Sequence, residues 1–575
     1  MKTTFCAGAI LLCMVLTLAA RCWNLRDVFV EGHIYFLDAD CYSRMTRARM
    51  VAEGQGTVVV RHHDFENWPR GTTPHTTAPM DWLIAGLASA SNLVFRISDF
   101  GKRSLLSAQT LDFAGAIISP LLGTLACAFL GVWAWRQRMS GWLAVPLFFA
   151  ISPVLVHGTL LGRPDHQSLL ILLVAVAVTA ELALARAITQ GWSIVAGVAW
   201  ALALWVSLYE PLVLLMAASG VWCFCDRRRF VAREARAGWI AFGAFLLGAW
   251  WIDGWRVTWP DAAMRGAFLS WQKTVGELTH LDPRGPLLYR WLGAAIVIAP
   301  LVLLGTVIFE RRRGDATRAT APLLVLVLLA ATFALTMWQL RWGYFLAIVF
   351  ALSLPWMFAA AHRWWIAWPL FALTLGPLAR DWDEKLYPED HPERDIETRR
   401  AVLRVEAVRL REVADAMRGP ERAPFIAPWW LSPALAYWSG QPGVAGSSHE
   451  SLPGIVATAR FFLAPNAAEA ERIARELGAR WIVTDDPERL VATSRALLDR
   501  RGESETPFVV HLHEVAEPRE RVSPGDVRAA TPEARARLIE LAEQAEAAQL
   551  GTTAFSCVSS NQFYKLFSVK PASPK

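Results

Sequence analysis

GRPDHQS (Gly162–Ser168) separates two long apolar runs of the chain. The run before it is GWLAVPLFFAISPVLVHGTLL (Gly141–Leu161), and the run after it is LLILLVAVAVTAELALA (Leu169–Ala185). At about 1.5 Å per helical residue, each run is about long enough to cross a hydrocarbon core. An Arg, an Asp and a His therefore lie at a membrane boundary, where an unpaired charge is costly and usually has a function. The alternative for this segment alone is an ordinary short polar loop.

The composition is that of a polytopic membrane protein. Of 575 residues, 54% are hydrophobic, 28 are Trp and only 19% are charged. Trp is enriched at membrane interfaces, where an indole presents an apolar body and one polar edge. The net charge of +6 includes no basic stripe of the kind that nucleic-acid binding needs, so no nucleic-acid partner is expected. The eight cysteines contain no CxxC pair and indicate no disulfide framework.

The apolar segments predict eleven membrane spans, within a fold class of about 11 to 13 spans. They are residues 5–22, 107–134, 141–161, 168–188, 191–208, 211–225, 237–255, 287–308, 321–338, 343–361 and 364–379. The first span is interpreted as a retained helix or signal anchor, because further spans follow it. Residues 81–95 are interpreted as a surface or re-entrant helix, because a further span there would move every later arginine cluster to the other side.

The short basic loops predict the orientation. The clusters lie on one side, the cytoplasm: Arg136 and Arg138, Arg227–Arg229, Arg311–Arg313, and His362 with Arg363. The outer face then holds residues 23–106, GRPDHQS, residues 256–286, Arg341 and everything from Asp381 onward. We expect a multi-pass protein of a bacterial or archaeal inner membrane, with its active site and C-terminal domain outside the cytoplasm.

The chain divides into a transmembrane domain, residues 1–380, and a C-terminal domain, residues 381–575. The second part is rich in Ala, Arg, Glu and Pro and contains no spanning run. Its pattern predicts a mixed α/β domain with helices over 396–417, 467–477 and 532–549. Strands are predicted at RWIVTDD (480–486), TPFVVHLHEV (506–515) and NQFYKLFSV (561–569). Residues 381–395 form a charged linker to this domain.

Acidic residues from separate outer segments are candidate catalytic or metal-binding groups. Asp40, Asp165 and Glu277 share one side of the membrane and can converge on a hard divalent cation, which prefers oxygen ligands. Each also has an ordinary alternative. Asp40 can cap the helix that follows it, and an isolated Glu277 can be a solvated loop residue.

Motifs in these segments resemble those of the catalytic subunit of oligosaccharyltransferases, which are polytopic glycosyltransferases of the GT-C class. In that family the first outer loop has an Asp followed two residues later by an aromatic residue, matched by Asp40 and Tyr42. A second acidic motif ends the third span and is matched by Asp165–Gln167, with Gln167 in place of a second acid. The family's Thr-x-x-Glu in a large outer loop is matched by Thr274 and Glu277.

Two later motifs extend the resemblance over nearly the whole chain. An Arg before a late span contacts the lipid pyrophosphate in the family, and Arg341 in QLRWGYF matches it. The family's acceptor motif is Trp-Trp-Asp-Tyr-Gly, and Trp429 and Trp430 in APWWLSP match its beginning. Leu431, Ser432 and Pro433 replace the remaining Asp, Tyr and Gly. Because that Asp helps hold the Ser or Thr of the sequon, the substitution predicts poor use of Asn-x-Ser/Thr peptides. Alternatively, the two Trp are core or membrane-facing aromatics.

The resemblance implies transfer of a glycan from a polyprenyl (pyro)phosphate donor to an extracytoplasmic acceptor such as a protein. Membrane lipid is a further expected partner. The implied cofactor is a divalent metal, Mg²⁺ or Mn²⁺. The implied roles are catalysis by Asp40, Asp165 and Glu277, metal binding by Asp40, Asp165, His166 and Gln167, donor-phosphate binding by Arg341, and acceptor binding by Glu277, Trp429 and Trp430.

Two other function classes stay open. One is a GT-C enzyme that uses a polyprenyl-phosphate monosaccharide to modify lipid, a polymer or protein hydroxyls. The other is a transporter or flippase, although transporters usually place ionisable groups in the middle of spans and show paired repeats. The sequence has no Rossmann glycine pattern and no P-loop lysine, so a soluble nucleotide is not the expected donor.

Overall fold

The computed structural model describes residues 3–55, 63–74, 78–98, 106–254, 262–500, 505–515 and 554–570. Among the residues that the structure describes, the membrane-associated part is helical apart from a short hairpin of β1 (Phe29–Val30) and β2 (His33–Ile34) and an isolated bridge between His63 and Thr72. Its α-helices are α1 (Thr3–Arg21), α2 (Leu25–Val28), α3 (Ala39–Ala52), α4 (Ala78–Ser98), α5 (Leu106–Arg136), α6 (Ala144–Ile151), α7 (Pro153–Gly158), α8 (His166–Leu184), α9 (Gln190–Val206), α10 (Tyr209–Cys225), α11 (Arg228–Val231), α12 (Arg233–Asp253), α13 (Arg265–Trp271), α14 (Leu287–Leu292), α15 (Ala299–Arg312), α16 (Ala316–Trp338), α17 (Gly343–Ala360), α18 (Trp364–Thr374) and α19 (Gly376–Leu386).

In the described part of the chain, seven helical segments are long and apolar enough to cross a membrane. They correspond to α1, α5, α8, α12, α15 with the turn before it, α16, and α17 with the turn before it. Shorter apolar helices, α9, α10 and α18, occupy three more of the predicted spans. The chain is therefore an integral membrane protein, while the full count of eleven spans stays a prediction. Helix α4, at the doubtful residues 81–95, packs against α3 and α5.

The predicted span 141–161 is broken into α6 and α7 at Ser152 and Pro153. Pro153 has no N–H to donate to the carbonyl of Phe149, so a continuous helix would leave that carbonyl without its partner. The fully buried Arg21 of α1 supplies a replacement, because its guanidinium donates to the carbonyls of Phe149 (3.2 Å) and Ala150 (3.1 Å). Arg21 also lies close to GRPDHQS, because its carbonyl accepts a hydrogen bond from the Leu161 amide at 2.9 Å.

The predicted span 287–308 is also interrupted, between α14 and α15. Gly293 makes the turn with φ of 76°, and a Cβ at this position would lie 2.5 Å from the carbonyl oxygen of Thr374. Only glycine combines this backbone conformation with such a close approach. The last predicted span, 364–379, is divided between α18 and α19, and α19 continues across the predicted domain boundary at residue 380.

The C-terminal part contains a four-stranded sheet in the order β3-β4-β6-β5. Its strands are β3 (Phe425–Ile426), β4 (Trp481–Thr484), β5 (Phe555–Ser560) and β6 (Lys565–Val569), and its helices are α20 (Ile396–Ala416), α21 (Ser432–Ser439), α22 (Leu452–Phe462), α23 (Ala467–Glu476), α24 (Pro487–Leu497) and α25 (Phe508–Val515). β3 and β4 are parallel, and the other pairs are antiparallel. The sheet and helices form the expected mixed α/β arrangement.

The structure supports two predicted strands and corrects the third. RWIVTDD contains β4 and NQFYKLFSV contains β6, but TPFVVHLHEV forms helix α25. Its apolar residues Phe508, Val509 and Leu512 have the i, i+1, i+4 spacing of one helix face, and they pack into the core beside the sheet. A short apolar run fits either element, and here tertiary packing selected the helix. The predicted helix 532–549 lies outside the described residues.

Candidate active site

Residues from both parts of the chain line one cavity of about 1060 Å³. Its wall includes the predicted site residues Asp40, Glu277, Arg341, Trp429 and Trp430. Asp165 is 5% exposed and lies behind this wall, where its charge acts on Asp40 and Arg341. The structure therefore brings together groups that are separated by up to about four hundred residues in the sequence.

Asp40 lies in the first turn of α3 and faces the cavity. The helix cap is Asp38, whose Oδ1 accepts a hydrogen bond from the Cys41 amide at 2.9 Å. The alternative of Asp40 as the cap is therefore wrong. The Asp40 side chain is open to the cavity, and its partial desolvation there, together with the negative charges of Asp38, Asp165 and Glu277, raises the pKa of Asp40 above its ordinary value. Asp40 therefore does not cap the helix, and it faces the cavity where other carboxylates concentrate negative charge.

Asp165 caps the N-terminus of α8. Its Oδ1 accepts hydrogen bonds from the His166 amide at 2.7 Å and from His166 Nδ1 at 2.6 Å. Burial alone would raise the pKa of Asp165, but His166 and the guanidinium of Arg163 hold it well below the ordinary range. Arg163 lies 4.0 Å from Asp165 and 3.9 Å from Asp38, so it joins the GRPDHQS segment to the first outer loop.

Glu277 lies in a short 3₁₀ turn, Gly276–Leu278, and is half-buried. Backbone hydrogen bonds attach this loop to the connection between α16 and α17: Leu340 donates to the Thr279 carbonyl at 3.0 Å, and Leu281 donates to the Met337 carbonyl at 3.3 Å. That connection carries Arg341. The Thr-x-x-Glu segment and the arginine are consequently held together by the same local structure.

Arg341 forms an ion pair with Glu210, which is fully buried at the start of α10. Glu210 also accepts a hydrogen bond from Ser207 Oγ at 2.6 Å. The buried charge of Glu210 at this helix end is therefore balanced by Arg341. Because an Arg side chain carries five N–H donors, this pairing orients Arg341 and leaves donors for a phosphate.

Trp429 and Trp430 follow β3 and lie on the C-terminal side of the cavity. Their rings contact each other edge to face with centroids 5.7 Å apart, and Trp429 makes a similar contact with Trp271 of α13 at 6.1 Å. The outer loop that carries Glu277 therefore packs directly on the Trp-Trp pair. Both side chains are half-buried, so they combine a packing role with exposure to the cavity.

The donor atoms of the site suit an oxygen-preferring divalent cation. The carboxylates around Asp40 repel one another, and a bound cation would relieve this repulsion. The buried Oε1 of Gln167 and Nε2 of His166 have no hydrogen-bond partner in the described part of the chain. Among these residues, however, no group of three His, Cys, Asp or Glu side chains lies close enough to hold a metal ion. The metal site accordingly stays a prediction.

The sequence missed several residues of the cavity. Arg163, Tyr344 and Lys385 line it and add positive charge and a phenol near the predicted acids, and Asp485 lines its C-terminal side. Arg163 was visible as the arginine of GRPDHQS. The signal for Asp485 was the acidic pair that ends RWIVTDD, directly after a predicted strand.

Comparison with solved structures shows that the chain shares its fold with two membrane enzymes of known structure. The oligosaccharyltransferase of Archaeoglobus fulgidus, tethered to an acceptor peptide with an NVT sequon, aligns with a TM-score of 0.55 and 14% identity, covering 87% of this chain and 72% of that one. The same archaeal enzyme in complex with Zn and sulfate aligns with a TM-score of 0.50 and 15% identity, over 83% and 68%.

ArnT from Cupriavidus metallidurans, bound to undecaprenyl phosphate, aligns with a TM-score of 0.51 and 10% identity, covering 100% of both chains. No family model matches the sequence, and no curated protein matches it. The expected structural resemblance to oligosaccharyltransferase is confirmed at the level of the fold.

Proposed function

We propose that this protein is a glycosyltransferase of the oligosaccharyltransferase kind, which transfers a glycan from a polyprenyl (pyro)phosphate to an extracytoplasmic protein. The observation that carries the proposal is the single cavity bearing Asp40 and Glu277, the Glu210-oriented Arg341, and the Trp429–Trp430 pair. The archaeal structure with its acceptor peptide and the ArnT structure with undecaprenyl phosphate support an acceptor peptide and a lipid donor of these kinds.

In the proposed reaction, the acceptor amide nitrogen forms a bond to the anomeric carbon as the bond from that carbon to the phosphate oxygen breaks. The electron pair stays on the departing phosphate, where Arg341 holds the growing negative charge through its planar guanidinium. Asp40 and Glu277 hold the N–H groups of the acceptor amide, and a site carboxylate takes the proton that nitrogen loses.

We propose Asp40, Asp165, His166 and Gln167 as the residues that would hold Mg²⁺ or Mn²⁺. Such an ion supplies a Lewis acid that neutralises charge on the leaving phosphate. The orphaned buried atoms of His166 and Gln167 support this assignment. Asp165 contributes by fixing the orientation of the His166 ring through the bond to Nδ1.

The orientation is part of the proposal. The arginine clusters favour a cytoplasmic 226–236 loop and an extracytoplasmic segment after Asp381, in a bacterial or archaeal inner membrane. A reporter fused after Asp381 should be extracytoplasmic, and one inserted in the 226–236 loop should be cytoplasmic. Finding both on one side contradicts the orientation.

A second candidate is a GT-C enzyme that uses a polyprenyl-phosphate monosaccharide to modify lipid, a polymer or protein hydroxyls. It is favoured by the ArnT alignment, which covers both chains in full, whereas the archaeal enzyme is covered only to 72%. Mass spectrometry of envelope proteins and lipids, with and without this gene, separates the two. Loss of a glycan from asparagine side chains supports the first candidate. Loss of a single sugar from lipids, a polymer or protein hydroxyls supports the second, and no change in any of these contradicts both.

A further inference from the structure

The parallel pair β3 and β4 creates a ligand-facing edge on the C-terminal side of the cavity. The register pairs Phe425 with Trp481 and Ile426 with Ile482, so the carboxyl ends of both strands lie at the same edge of the sheet. Trp430 follows one strand and Asp485 follows the other. Side chains after the carboxyl ends of adjacent parallel strands commonly form binding crevices.

Asp485 is joined to Trp430 at this edge. Its Oδ2 accepts a hydrogen bond from Trp430 Nε1 at 3.0 Å, and only 6% of the residue is exposed. Its Oδ1 is buried and has no hydrogen-bond partner in the part of the chain that the structure describes. A buried carboxylate oxygen without a donor is costly, so a ligand that donates to it gains affinity.

The surroundings of Asp485 select the kind of donor. The guanidinium of Arg489 lies over the Trp430 ring, 4.6 Å from its centroid, and its positive charge acts on Asp485. A second cation would be repelled by Arg489, which disfavours an ammonium group. Leu431 and the ring of Trp430 are apolar neighbours on the same wall. A small neutral group with a hydroxyl and a methyl therefore fits best.

We propose that Asp485 and Trp430 form the subsite that recognises a hydroxyl of the acceptor polypeptide, of the threonine type. This inference rests on the proposed function, because it assumes a peptide in the cavity. Leu431 offers no polar side-chain atom, so in this proposal the group that accepts the hydrogen bond from the hydroxyl is Asp485, which follows β4. The predicted loss of sequon recognition would then be offset by tertiary structure.

The test measures peptide binding by the full-length protein in nanodiscs, without donor lipid, by fluorescence anisotropy. Two peptides are compared, Asn-Val-Thr and Asn-Val-Val, which differ by a hydroxyl against a methyl of similar shape. A hydrogen bond to a charged partner predicts that the Thr peptide binds about ten- to a hundredfold more tightly. Asp485→Asn keeps an acceptor for Trp430 Nε1 but removes the charge, and should reduce this ratio several-fold. Glu488→Gln on the exposed side of α24 is the matched control and should keep the ratio.

The outcomes distinguish this inference from the proposed function. Equal binding of both peptides to the unaltered protein overturns the inference, whatever the variants do. An unchanged ratio in Asp485→Asn also overturns it. Selective binding of the Thr peptide without any gene-dependent protein glycan supports the subsite and contradicts the proposed function. A gene-dependent protein glycan, together with equal binding of the Thr and Val peptides, supports the proposed function and contradicts the subsite.

Discussion

The two sides of the cavity are built in different ways. On the membrane side, Asp165 caps a long apolar helix, and Arg341 precedes another, so each lies at the end of a helix that the sequence itself defines. On the C-terminal side, Trp430 and Asp485 are 55 positions apart and meet only because two short strands pair in parallel. The ends of these two helices can be located from local sequence, whereas the edge of the sheet depends on pairing between distant segments.

The largest expected effect concerns the membrane side. Replacing Arg341 by Met together with Glu210→Gln removes the ion pair without leaving either buried charge alone. Transfer should fall by up to about a thousandfold, the upper end of the range for losing one group that stabilises a developing charge. Native mass spectrometry should show weakened binding of undecaprenyl phosphate.

Arg311→Met is the control for this pair, because Arg311 is exposed in a basic cluster at the end of α15. It should bind the lipid and transfer glycan as the unaltered protein does. Retention of both activities in the Arg341 and Glu210 double variant would remove Arg341 from the donor half of the site.

Chelation should lower transfer by about a hundredfold or more, because the negative charge around Asp40 would lose its counter-ion. Adding Mg²⁺ or Mn²⁺ should restore the rate. Asp40→Asn should need a higher metal concentration for half-maximal restoration, whereas Glu53→Gln at the exposed end of α3 should not. A rate that is indifferent to chelator after exhaustive dialysis would contradict the metal assignment.

The C-terminal side can be tested by moving its carboxylate back to the family position. Leu431→Asp, introduced into Asp485→Asn, should restore about a tenfold preference for the Thr peptide over the Val peptide. Leu431 lines the cavity next to Trp430, so a carboxylate there reaches the same ligand. Leu431→Asn in the same background should restore less of the preference for the Thr peptide, since it lacks the charge. Equal restoration by Leu431→Asp and Leu431→Asn would show that the subsite does not depend on a charged acceptor.

The smallest expected effect is a pH dependence of peptide binding. Burial raises the pKa of Asp485 to about 6, while Trp430 and Arg489 act in the opposite direction and Asp486 adds to the increase. Because only the ionised carboxylate has full acceptor strength, affinity for the Thr peptide should rise several-fold between pH 5 and 7, as the ionised fraction grows about tenfold.

Other groups face the same region, including Glu406, Tyr564 and His513, so the measurement needs a control. The pH dependence should disappear in Asp485→Asn and should be absent for the Val peptide. If the affinity for the Thr peptide still rises with pH in Asp485→Asn, a group other than Asp485 is responsible.

Apolar patterning alone predicted the helical membrane part and the mixed α/β character of the C-terminal part. It also predicted β4 and β6 closely, because each is a short apolar run bounded by polar residues. It failed for residues 506–515, since a run of that length satisfies either a strand or a helix and only packing decides. It also missed the break at Ser152 and Pro153, which depends on donors from Arg21 on another helix.

For the site, the sequence singled out Asp165 by its place between two apolar runs, Asp40 and Glu277 by their shared outer side and their motifs, and Arg341 by the motif resemblance. Asp165 was conspicuous because a charge at a membrane boundary is costly. Only the tertiary structure decided that Glu210 orients Arg341, that Asp38 rather than Asp40 caps α3, and that Asp485 reaches Trp430. The contacts of Glu210 with Arg341 and of Asp485 with Trp430 escape the sequence because they pair residues that are far apart in the chain. The cap of α3 escapes it for a local reason, since Asp38 and Asp40 satisfy the same capping pattern and only the backbone conformation selects between them.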